Sequence, residues 1–190
     1  VAGDKALDGK FDIGEYVRDT YTNSWMELSF TANDKYISVS LDTDQLAFYQ
    51  TDEESLQRLT AQDFDKAWAF NYVLEGLGGR LSLYVVNLGR EQANLGVVKD
   101  CDDYINKFIA YTKEDNKVLT PKFGEVYDAV LGGQNFKAFE ATVLNDMQMR
   151  YYVRQIDNFL VVVEMVAAKN EKRNVAILAE FEASFTNIAN

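Results

Sequence analysis

Thirty carboxylates, one thiol and no imidazole are the reactive groups of this 190-residue chain. The missing histidine is the most restrictive of these facts. It removes Ser–His–Asp and Cys–His catalysis, histidine-ligated zinc, and the usual general base near neutral pH. A base would have to be a carboxylate with a strongly raised pKa or a lysine with a strongly lowered one, and either needs deep burial beside a pocket. Several of the acids fall in solvated clusters. Glu164 is the exception, standing in the apolar run Phe159-Leu160-Val161-Val162-Val163-Glu164-Met165-Val166. It is the one carboxylate whose surroundings could raise its pKa. Buried charges are usually paired, so Arg150, Arg154 or a similar base on a neighbouring strand is the expected partner.

The remaining candidates have plainer explanations. Cys101 starts a helical pattern, where the dipole could favour a thiolate, but Asp100, Asp102 and Asp103 surround it and raise a thiol pKa. It also falls on the apolar stripe of that helix, so it reads as a small packing residue. Gly76-Leu77-Gly78-Gly79 lacks the spacing of a phosphate-binding loop and precedes a strand, which makes it a hairpin turn. The acid clusters at 42–44, 52–54 and 100–103 could attract a hard cation, yet none has the pattern of a calcium loop. Two of the three are helix starts. Two carboxylates suffice for a glycosidase, but nothing selects a pair, and Trp25 and Trp68 sit in patterns that a core already explains. No catalytic, cofactor-binding or metal residue is assigned, and no cofactor is expected.

The elements that must position these residues are legible from periodicity. Strands are predicted at 16–21, 25–30 and 36–41, with Met26, Leu28 and Phe30 sharing one face. Capping patterns predict two short helices, at about 52–59 and 61–70. Strands follow at 71–75 and 80–88. Cys101, Tyr104, Ile105, Phe108, Ile109 and Thr112 form one stripe, giving a helix over 101–113 capped by Asp100. Four more strands, at 126–131, 136–144, 147–156 and 159–167, are separated by Gly132-Gly133, Asn145-Asp146 and Asp157-Asn158. The last is apolar on both faces, so it must be central and covered on both sides. A helix over 170–185, with Val175, Leu178, Phe181 and Phe185 as its stripe, closes the chain. The fold class is α+β: an antiparallel sheet of about six or seven strands sandwiched between helices.

Composition limits the partners. A hydrophobic content of 47% with 13% aromatics supports a packed core rather than a disordered chain, and a single proline, Pro121, suits long regular elements. A net charge of −11 repels phosphate backbones and anionic headgroups. Nucleic acid is therefore not expected as a partner, and neither is an anionic membrane surface. Residues 1–10 are polar and unpatterned, like a tail or a trimmed linker, and 11–190 read as one domain, expected to be a monomer.

Several phrases then become familiar. Leu131-Gly-Gly-Gln-Asn-Phe-Lys-Ala-Phe-Glu-Ala, Gln148-Met-Arg-Tyr-Tyr-Val-Arg-Gln, Asp157-Asn-Phe-Leu-Val-Val-Val and Glu180-Phe-Glu-Ala-Ser-Phe carry a resemblance, joined by Tyr21-Thr-Asn-Ser-Trp-Met-Glu-Leu-Ser-Phe-Thr near the start. The chain resembles bacterial lipoprotein domains that share the fold of the photosystem II extrinsic subunit PsbP and the Ran-binding Mog protein. The resemblance spans about 11–185 and rests on turns and core positions. It implies a PsbP-like sheet between helices, an extracytoplasmic location on a lipid-anchored N-terminus of which residues 1–10 would be the tether remnant, a membrane contact only through that tether, and no established enzymatic activity. The leading functional expectation is a binding or interaction module for a protein or small-molecule ligand. The alternative is a carboxylate-based hydrolase acting on a glycan.

Overall fold

The computed structural model describes residues 14–32, 36–38, 65–74, 78–115, 117–144, 147–168 and 170–188. Its centre is strand β13 (Phe159–Ala168). Its run of β-branched and aromatic residues buries Phe159, Val161, Val163 and Met165 on one face and Leu160 and Val162 on the other. On one side it pairs with β12 (Met147–Ile156), and on the other with β6 (Gly79–Asn87), both antiparallel. The sheet extends outward through β11 (Gln134–Val143) and β10 (Tyr127–Leu131) at one edge, and through β5 (Lys66–Leu74) and β4 (Tyr36–Ser38) at the other. Short β9 (Lys122–Phe123) lies beside β11. Seven strands therefore run in one antiparallel path, and the doubly apolar strand is its middle member.

Each face has its own cover. Helix α1 (Cys101–Asp115) lays Tyr104 and Ile105 against Tyr84, Tyr151, Val153 and Val162. Asp100 caps it, its Oδ1 accepting the Asp103 N–H at 2.8 Å. The opposite face is covered by helix α2 (Glu171–Ala183) through Ile177, Leu178 and Phe181. A four-stranded antiparallel sheet joins α2 on that face, in the order β1 (Glu15–Val17), β2 (Thr20–Asn23), β3 (Leu28–Thr31) and β14 (Phe185–Asn187). Met26, Leu28 and Phe30 enter this core together. Gly132, in the β10–β11 turn at φ +56, sits close against the small sheet, since a Cβ there would stand 2.6 Å from Leu28 Cδ2. A two-stranded ribbon of β7 (Glu91–Gln92) and β8 (Gly96–Val97) leads into α1.

Four expectations need correction. The strand predicted at 16–21 is a hairpin, turned at Arg18 in the left-handed region (φ 60). The strand predicted at 25–30 begins only at Leu28, because 24–27 form a turn in which Met26 N–H donates to Asn23 Oδ1 at 2.9 Å. The described part of the predicted 61–70 helix is strand β5, in which a bulge between Trp68 and Phe70 breaks the alternation. On α2 the buried stripe is Asn174, Ile177, Leu178 and Phe181, while Val175 is 60% exposed and Phe185 belongs to β14. The sandwich also has a sheet as well as a helix on one side. The tail at 1–10, the helix at 52–59, the acid clusters at 42–44 and 52–54, and Gly76-Leu77 lie outside the described residues.

Candidate functional site

The face of the large sheet beneath α1 carries a recess of about 270 Å³. Its construction follows from strand parity. Lys66 and Trp68 alternate on β5, and Trp68 stands directly opposite Tyr84 of β6, with ring centroids 4.8 Å apart. Lys66 is thereby diagonal to Tyr84. As a whole residue it is exposed, yet its Nζ lies 3.8 Å from the Tyr84 ring centroid and 4.4 Å from that of Trp68. Desolvation there lowers its pKa, opposed by the negative charges of Glu164 and Asp65.

Tyr104 reaches down from α1 to place its hydroxyl 3.0 Å from that of Tyr84. Both phenols are held neutral, since burial pushes their pKa values up and the Glu164 carboxylate adds to the effect. Val86, Leu95 and Phe108 provide apolar wall, and Gln92, Asn94 and Tyr111 provide polar wall. Gln92 Nε2 is already committed, donating to the carbonyl oxygens of Asn87 and Arg90.

Glu164 lines this recess, and its partner is a similar base on a neighbouring strand, as expected, but it is neither Arg150 nor Arg154. Arg80 Nη2 donates to Glu164 Oε1 at 2.6 Å. Arg150 and Arg154 face the opposite side of the sheet. Register explains this: Tyr151 stands opposite Glu164 on β12, and Arg150 and Arg154, being one and three residues away, have the other parity. Arg150 bridges Glu140 and Glu182, while Arg154 donates to the Met26 carbonyl at 2.8 Å and pairs with Glu27 at 3.7 Å. Tyr152 OH joins the Glu182 carboxylate on that side.

The other sequence candidates fall elsewhere. Cys101 is half-buried with its Sγ 3.7 Å from the Val153 carbonyl, and burial with the neighbouring Asp102 charge pushes its pKa up to about 11. It lies at the wall of a second cleft, of about 640 Å³, whose floor is Asp128, Val130, Lys137 and Val153 on three adjacent strands. Asp103 is tied to Lys107 at 2.8 Å and Asp102 to Lys137 at 3.7 Å. Among the described residues no three acidic, cysteine or histidine side chains gather as a metal would require. Trp25 packs edge-on against Phe159, at 5.5 Å, and is core. Sequence reasoning missed Lys66 and Tyr84 as site residues and read Tyr104 only as part of a helix stripe. The available signal was the Lys66–Trp68 alternation, which a bulge two residues later obscures.

No protein-family model matches this sequence, and no curated protein matches it. Solved structures do. The cyanobacterial PsbP (CyanoP) of Synechocystis sp. PCC 6803 is 13% identical and superposes with a TM-score of 0.53, covering 88% of this chain and 91% of its own. The Ran-binding protein Mog1p of Saccharomyces cerevisiae is 7% identical with a TM-score of 0.42, covering 89% and 94%. LpqN of Mycobacterium tuberculosis, described as involved in cell envelope biogenesis, is 12% identical with a TM-score of 0.36, covering 84% and 82%. At such identities the likeness is one of architecture, and the architecture of this chain is the PsbP-like fold.

Proposed function

We propose that the protein is a binding module that captures a small molecule in the recess between β5, β6, β13 and α1 without transforming it. The observation that supports this most directly is the commitment of the Glu164 carboxylate to Arg80 at 2.6 Å. The acid that sequence marked as a potential base is thereby placed in an ion pair that links β13 to β6. Around it the recess offers aromatic rings, neutral phenols and an ammonium, which are recognition groups. The domain acts as a monomer, outside the cytoplasm, tethered to a membrane by chain preceding Val1. This part of the reading rests on the sequence resemblance to lipoprotein domains. Among the described residues no helix is long and apolar enough to cross a membrane.

The test has two arms. In the first, the purified protein is incubated with glycan, ester and peptide substrates beside its Glu164→Gln variant. No turnover by either is expected, and turnover that vanishes in the variant while its fold persists would promote a carboxylate hydrolase instead. In the second, a membrane-impermeant amine reagent is applied to intact cells that produce the protein from its full gene. Labelling without lysis is expected, and labelling only after lysis would overturn the location.

A further inference from the structure

Resting on the recess as the binding site, we infer that its ligand carries a quaternary ammonium, and that Lys66 holds the ligand's place by laying its own ammonium on Trp68 and Tyr84. Lys66 is exposed as a residue, so its stem leaves the head free to stand in water. The head turns inward instead. Nζ lies 3.8 Å from the Tyr84 ring centroid and 4.4 Å from that of Trp68, both within cation–π range. Two acids act on the same point. Asp65 commits one carboxylate oxygen to the Lys66 backbone N–H at 2.8 Å and Glu164 commits one to Arg80 at 2.6 Å, yet the charge of both still favours a cation at Nζ. Two aromatic faces under a negative field form a place for positive charge.

Lysine is nevertheless a poor occupant of that place. A primary ammonium is strongly hydrated and carries three N–H donors. Among the described residues none of the three meets an acceptor, and desolvation works against the charge. A quaternary ammonium keeps the charge, turns methyl groups to the rings and has no donor to leave unmet. It gains both faces and both acids while Lys66 swings out along its exposed stem. Leu95 and Phe108 offer apolar wall to the body behind such a headgroup. The other polar groups of the lining are donors and acceptors alike and ask no charge of that body, so the ligand class is set at Nζ. The net charge of −11 also draws cations toward the molecule.

Choline and its neutral isostere, in which carbon replaces the nitrogen, separate the possibilities, with binding followed by two-dimensional amide NMR of the intact chain. Choline is expected to shift resonances around Lys66, Tyr84 and Leu95, with the isostere weaker by at least about tenfold. Lys66→Ala removes the stand-in, so choline should bind it about two- to fivefold more tightly than the parent. Lys172→Ala makes the same change in net charge on α2, across the sheet, and should leave the affinity as it was. Equal binding of the two probes at the recess, or a Lys66→Ala variant that binds choline no more tightly than Lys172→Ala, overturns the ammonium assignment and leaves the recess as a binding site. No shift at the recess with either probe, in the parent or in Lys66→Ala, overturns both readings.

Discussion

At the scale of single residues, the ion pair between Arg80 and Glu164 and the thiol of Cys101 make opposite kinds of claim. Glu164 is 13% exposed at its side chain and Arg80 37%, so their pair is partly screened but not free in solvent. Glu164→Gln should cost about 1–2 kcal/mol, and the same change in an Arg80→Gln background should cost clearly less. Urea denaturation of the four proteins in the cycle measures the coupling, and strict additivity would mean that the pair does not hold the strand. Cys101 should be nearly inert. With its pKa pushed up to about 11 by burial and by Asp102, its thiolate fraction near neutral pH falls about a hundredfold below that of an ordinary thiol. Labelling by a disulfide reagent should be slow in the native state, quicken as the pH approaches 11, and become fast in denaturant. Rapid native labelling at pH 7 would contradict both causes. The sequence carried enough to single out each of these residues. It did not carry the identity of Arg80, because the parity that selects it over Arg150 depends on a register between strands far apart in the chain.

Among the elements, α2 is where sequence and structure differ in the most instructive way. Its apolar residues allow two phases, one through Val175 and one through Ile177. The structure takes the second, burying Asn174 in the first turn. A polar residue on the buried stripe conceals the true phase from any count of apolar positions. The choice can be tested: Phe181, fully buried, should cost about 3–5 kcal/mol on truncation to alanine. Val175→Ala, on the exposed face, should change stability by no more than about 0.5 kcal/mol. Comparable losses in thermal denaturation would place the helix in the wrong rotation. Strand β13 and helix α1 were legible because their patterns are unbroken: an apolar run of strand length and a stripe at helical spacing. Strand β5 was legible only over its second half, within the strand predicted at 71–75, since the bulge between Trp68 and Phe70 shifts the alternation of its first half and leaves spacings that also suit a helix. The recess inherits that blind spot, having β5 for one wall.

For the whole molecule the excess of acid is the dominant long-range term. With −11 net charges, self-repulsion opposes compaction, and salt should relieve it. Raising sodium chloride from about 10 mM to about 150 mM shortens the screening length from roughly 30 Å to roughly 8 Å. The melting temperature should rise over that range, and a flat or falling trend would show that local ion pairs outweigh the global field. One further property follows from β14, which docks its Phe185 opposite Phe30 of β3. A ribosome makes Phe30 long before Phe185, at about 5–20 residues per second. The nascent strands β1 to β3 must wait until β14 has been made for the neighbour that completes their sheet, and β6 likewise waits for β13. The domain therefore matures only once β14 has been made, so a product terminated after Ala183 would leave β3 as an open edge and become a target for chaperones or proteases.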